Sequence, residues 1–118
     1  MAVSIDYLPE FERRAKILAK RYRSFPSDYQ LLLDELEANP FVGTSLGNGV
    51  YKVRMSISSK NRGKSGGARV LTYAIAQEVD NVTVTLMTIY DKSEISNVSD
   101  AYIKSLIQEI KMLMHCPT

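Results

Sequence analysis

The chain has 118 residues, is 45% hydrophobic and carries 15 Lys and Arg against 13 Asp and Glu, a net charge of +2 that suits one core and one domain over residues 1–118. No apolar run reaches membrane-spanning length and the N-terminus carries no signal pattern, so the expected setting is the cytoplasm, with no membrane partner. Cys116 and His115 are the single cysteine and histidine and stand without partners at ligand spacing, which excludes a disulfide, a metal cluster, histidine-based acid–base catalysis and any expected cofactor.

Ala2–Ile5 is a short apolar-rich start that reads as an edge strand. Pro9 suits the first turn of a helix, where its missing N–H costs nothing. Phe11, Ala15, Leu18 and Tyr22 then give that helix one apolar face, opposite Arg13, Arg14, Lys16, Lys20 and Arg21. This basic stripe is expected to be a solvated face without catalytic duty. Ser24-Phe25-Pro26 breaks the helix, and Ser27 with Gln30 three residues on predicts the start of a second. Tyr29, Leu32, Leu33 and Leu36 form its buried stripe, Asn39-Pro40 ends it, and the short link predicts a helical hairpin.

After a turn region over Gly43–Gly49 the period changes to two. Val50–Ile57 alternates Lys52, Arg54 and Ser56 with Tyr51, Val53, Met55 and Ile57. Arg69–Gln77 and Val82–Tyr90 are two further strands, the last pair joined by Asp80-Asn81. Ser99-Asp100 caps a final helix whose Ile103, Leu106, Ile107, Ile110 and Met114 share one face, leaving Lys104 and Lys111 for solvent. The predicted class is α+β in the order β-α-α-β-β-β-α, with an antiparallel sheet, helices on one side and the other face partly free.

Charge is segregated along this framework. Between Gly43 and Gln77 stand six basic residues (Lys52, Arg54, Lys60, Arg62, Lys64 and Arg69) and no acid. A basic hairpin with glycines at its tip is suited to gripping phosphates, and RNA is the leading ligand. Gly63-Lys64-Ser65 is not a P-loop, because Ser58 stands where the first glycine belongs and a strand follows in place of a helix. A solvated loop is the plain alternative, but Lys52, Arg54 and Arg69 carry the charge beyond the loop onto its flanking strands. At the end of the third strand, Tyr90 and Lys92 add a group able to stack or titrate and one more cation.

Tyr51-Lys52-Val53-Arg54, Gly63–Val70 and Thr88-Ile89-Tyr90-Asp91-Lys92-Ser93-Glu94, taken in order, resemble the signature of RelE/HigB-type toxins of bacterial toxin–antitoxin modules. Pro9-Glu10-Phe11, the basic first helix, Tyr22-Arg23-Ser24 and the Asn39-Pro40…Gly43 turn are similar to that family's opening, so the resemblance runs nearly the length of the chain. It implies a RelE/ParE-like fold and a ribosome-dependent endoribonuclease that cuts mRNA and is silenced by a cognate antitoxin, a small helix-turn-helix protein. By the same resemblance Arg54 and Arg69 are the strand cations facing the scissile phosphate, Lys60 and Lys64 the loop lysines, and Lys92 the basic residue after the last strand. The chain departs from the RelE branch at Val98, where members carry a tyrosine; the resemblance then implies either that Tyr90 takes that role from the strand end, as in the HigB-like branch, or a weaker enzyme. ParE-type toxins share the architecture but poison gyrase, and a plain RNA-binding domain is the third reading.

RNA is cut without metal when the 2′-hydroxyl attacks the adjacent phosphate and expels the 5′-oxygen. That reaction needs a base, an acid and positive charge on the phosphoryl oxygens. Lacking an available histidine, the chain must use lysine and tyrosine, and crowding among cations favours a neutral lysine. The expected catalytic set is Arg54, Lys64, Arg69, Tyr90 and Lys92, with Lys52, Lys60 and Arg62 binding RNA.

Overall fold

A computed structural model describes residues 2–60, 67–78, 80–95 and 97–114. The elements are β1 (Ala2–Tyr7), α1 (Pro9–Arg21), α2 (Phe25–Ala38), β2 (Thr44–Gly47), β3 (Val50–Met55), β4 (Ala68–Glu78), β5 (Asn81–Asp91) and α3 (Asp100–Met114). The class is α+β: three helices and one five-stranded sheet in the order β1-β5-β4-β3-β2. No helix among the described residues is long and apolar enough to cross a membrane.

Three expectations require correction. The sheet is mixed, because β1 runs parallel to β5 from Ala2↔Asn81 to Tyr7↔Leu86. Chain-neighbour hairpins are antiparallel by geometry, but β1 meets its partner only after the whole fold intervenes, so no short turn dictates its direction. The supposed turn region contains β2, which pairs antiparallel with β3. Its hairpin turns through Gly47, Asn48 and Gly49, all at positive φ, a conformation two glycines and an asparagine accept readily. Finally, the helices do not share one side of the sheet.

Phe11, Leu18, Phe25, Leu32 and Leu36 of α1 and α2 bury against Val53, Val70, Val84, Leu86 and Ile89 on one face. Leu106 and Ile110 of α3 bury against Val50, Leu71 and Met87 on the other. Each such side chain contributes roughly 1.5–3 kcal/mol, and only opposite faces supply apolar positions for all three helices. The second helix also begins earlier than Ser27, at Phe25, with Pro26 in its first turn. Ser99 does cap α3, its Oγ accepting the Tyr102 N–H at 3.1 Å.

The longest ladder, β4 with β5, contains an irregularity that matters below. Thr72 pairs with Leu86 and Leu71 with Thr88, leaving Met87 as an extra residue on β5. Before it, Val82, Val84 and Leu86 face α1 and α2; after it, Ile89 does. Met87 joins the α3 side, and Thr88 reaches Tyr102 of α3 at 2.9 Å. This β-bulge thus inverts which residues point to which face over the last turn of the strand.

Beside that bulge α1 and α3 are tied together. Tyr102 donates to Glu10 at 2.5 Å, so Thr88 supplies the hydrogen in its own contact with Tyr102. Arg13 and Arg14 each reach Glu10 at 2.8 Å. Burial pushes the Glu10 carboxyl up, but hydrogen bonds from Tyr102, Arg14 and Arg13 outweigh it and hold the pKa at about 2. A depressed carboxylate stabilises the fold in full above its unfolded value of 4.5, and that contribution drains away as pH falls towards about 2. Glu10→Gln is expected to flatten this acid limb: thermal midpoints of parent and variant should converge between pH 5 and pH 2, roughly the span over which a native carboxylate titrates. Parallel curves would show that Glu10 bears no such load.

Candidate nucleic-acid interface

The basic strand residues are brought together by register. Arg54 of β3 is the Cα partner of Arg69 of β4, and Arg69 is the partner of Tyr90 of β5. The three form a row across adjacent strands, on the face shared with α3. Tyr90 joins the row only because Met87 inverts the alternation; an unbroken strand would send it towards α1. Lys52 lies on the same face two residues from Arg54, as the period of two requires.

Their surroundings differ. Arg54 is exposed, and it borders a cleft of about 230 Å³ with Asp28, Leu31 and Glu35 of α2. Arg69 is 5% exposed and donates to the Ala68 carbonyl at 3.2 Å. Tyr90 is buried, yet it forms part of the wall of a cavity of about 550 Å³ between the sheet, the β2–β3 hairpin and α3. Lys52 lines the same cavity. Burial raises the Tyr90 phenol above its usual value, against the lowering influence of the Arg69 charge, so the hydroxyl keeps its proton at neutral pH.

The acid next to Tyr90 is turned away, whereas Asp100 of α3 lines the cavity that holds Tyr90, and Asp28 and Glu35 border the cleft beside Arg54. Asp91, next to Tyr90, is buried on the α1 side. It accepts the Tyr22 hydroxyl at 2.6 Å and the Ser93 N–H and hydroxyl at 2.9 and 2.7 Å. Arg21 bridges to Asp91 at 3.7 Å and pairs with Glu94. Lys92 is half-buried, and its N–H extends the ladder by donating to the Gly67 carbonyl at 3.1 Å. Much of the α1 stripe is spent in pairs with Glu10, Glu12, Asp91 and Glu94.

Arg62 and Lys64 lie outside the described residues, as do the side chain of Lys60, the side chain of Met114, and His115 and Cys116. The chain entering that segment is fixed by a second buried acid. Asp28 accepts the Ser58 N–H and hydroxyl at 3.1 and 2.8 Å and the Ser24 hydroxyl at 2.7 Å; Ser24 in turn accepts the Ser59 N–H at 2.9 Å.

Sequence reasoning missed part of the cavity wall. Lys104 and Asp100 of α3, Asn97 before it and Asn48 of the hairpin all line it. Lys104 is exposed, as its helix position predicts, but nothing in the sequence marks the wall opposite it. Val98 also lines the cavity, so the site where the chain departs from the RelE-branch tyrosine lies beside Tyr90. No protein-family model matches the chain.

Proposed function

We propose that the chain is a toxin of the RelE/HigB type: a metal-independent endoribonuclease that cuts mRNA on the ribosome and is held in check by a small antitoxin. The observation that carries this reading is the Arg54–Arg69–Tyr90 row on one sheet face. Two guanidiniums, which stay protonated, suit the phosphoryl oxygens of the transition state. In the reaction the 2′-oxygen bonds to phosphorus while the bond to the 5′-oxygen breaks, giving a 2′,3′-cyclic phosphate and a 5′-hydroxyl. One proton leaves the 2′-hydroxyl and another arrives on the 5′-oxygen. A phenol that keeps its proton is suited to the second transfer, which gives Tyr90 the role of acid. Lysines of the cluster, Lys92 and Lys64 among them, are the candidate acceptors for the first. Arg54 and Lys52 hold the strand from the exposed side.

The test is to induce the chain alone in bacteria and map RNA 5′ ends genome-wide. Growth arrest with new ends inside translated reading frames, relieved by co-expressing a small adjacent open reading frame, is the expected result. Arrest with intact mRNA and poisoned gyrase would overturn the nuclease in favour of a ParE-type toxin. Normal growth with uncut mRNA would overturn both.

A further inference from the structure

The cavity beside Tyr90 does not end at α3. A second one, of about 460 Å³, shares Asn48, Lys104 and Ile107 with it and continues to Tyr73, Gln108 and Lys111. The two adjoin at these shared residues, with α3 on one side and the β2–β3 hairpin and sheet on the other. Along α3 the lining falls at positions 100, 103, 104, 107, 108 and 111, the spacing of a single helix face. Lys104 and Lys111 stand two turns apart on that face, a separation of about 10 Å along the axis. Lys52, on the sheet, lines the first cavity together with Lys104. No salt bridge among the described residues engages Lys52, Lys104 or Lys111, whereas the α1 cations are largely paired. Asp100, at the far N-terminal end of α3, is the one acidic residue lining either cavity. Two tyrosines, Tyr90 and Tyr73, and three amide side chains, Asn48, Asn97 and Gln108, also line the two cavities.

We propose that this groove is an extended track for single-stranded RNA, along which nucleotides flanking the reaction centre run between α3 and the hairpin. Spaced cations for successive phosphates, aromatic rings for bases and amides for base edges are the components of a single-strand binding channel. The face of α3 assigned to solvent is thereby a substrate contact, and the chain recognises a run of nucleotides beyond the one it cuts. The proposal rests on the RNA reading above.

The experiment measures binding by fluorescence anisotropy, using labelled 2′-O-methyl uridine oligomers, which lack the attacking hydroxyl and are not consumed. One has about three nucleotides and one about twelve, within the range a single-strand channel spans. Lys111→Ala and the double variant Lys104→Ala/Lys111→Ala are compared with the parent and with Lys20→Ala, an exposed α1 lysine across the sheet. For the long oligomer each groove lysine removed should weaken binding roughly three- to ten-fold, and flatten the slope of log K against log salt by about 0.7. Lys111→Ala should bind the short oligomer as the parent does, and Lys20→Ala should match the parent throughout. Unchanged affinity and slope for the double variant overturn the track while leaving the nuclease reading intact. Equal losses on short and long oligomers, or an equal loss in Lys20→Ala, overturn it as well, since they report only overall charge. A parent that binds neither oligomer overturns the track, while the mapping of RNA 5′ ends decides the nuclease reading separately.

Discussion

Arg54→Ala is expected to lower the rate of mRNA cleavage on ribosomes by about 10²–10³, the usual cost of removing one preorganised transition-state donor. Arg54 is exposed, so its loss should leave stability within about 0.5 kcal/mol and the kinetic effect can be read directly. Arg69→Ala should cost at least as much activity, but Arg69 is nearly buried, and removing it also empties space between β3 and β5. Its rate must therefore be measured well below the variant's own thermal midpoint. Lys20→Ala, across the sheet, should cleave as the parent does. If Arg54→Ala and Arg69→Ala, folded, arrest growth and cut mRNA as fast as the parent, the row is not the reaction centre.

The second large effect is on the fold. Gly67 immediately precedes β4, and a Cβ there would lie 2.2 Å from the Met55 carbonyl oxygen and 3.2 Å from Ser56 Cα. These are backbone atoms of the adjoining segment and cannot swing aside as a flexible side chain would. Gly67→Ala must push the ends of β3 and β4 apart, at a cost of about 3 kcal/mol. The Gly67 carbonyl also accepts the Lys92 N–H, so the same displacement loosens the turn that carries Lys92. Urea unfolding should show the loss as a lower midpoint with an unchanged slope. A midpoint equal to the parent's would mean that the strands do not approach this closely in solution.

Periodicity made most of the elements legible. The four-three-four spacing of Phe11, Ala15, Leu18 and Tyr22 and the alternation from Val50 to Ile57 reflect burial directly, and both describe the faces the structure shows. The cross-strand row was within reach for the same reason: Lys52 and Arg54 share a face by period, and a short β4–β5 connection brings Tyr90 back towards Arg69. Non-local facts were not legible. The direction of β1 depends on a partner about eighty positions away, and four exposed residues in β2 leave no alternation to read. The side of the sheet taken by α3 follows from apolar Val50, Leu71 and Met87, which belong to three different strands. Without that docking, nothing marks Lys104 as lining a groove. Asp28 and Asp91 likewise look like surface acids until Ser58 and Tyr22 fold onto them.

A signal for the bulge does exist in the sequence, as the adjacent apolar pair Leu86-Met87 after the strict alternation of Val82 to Leu86. Its effect is that of a phase shift inside the folded strand. Below Met87, every second residue of β5 belongs to the core under α1 and α2; above it the parity is exchanged, and Tyr90 points towards Arg69 while Asp91 points towards Tyr22. Whether this one residue bulges or pairs therefore decides whether a phenol or a carboxylate is shown to the basic face. Were Met87 drawn into a regular ladder instead, the chain would keep its composition and charge, yet Asp91 would take the basic face and Tyr90 the α1 side. The chemistry of this sheet face is thus set by the pairing register of β5 as much as by the identity of its residues.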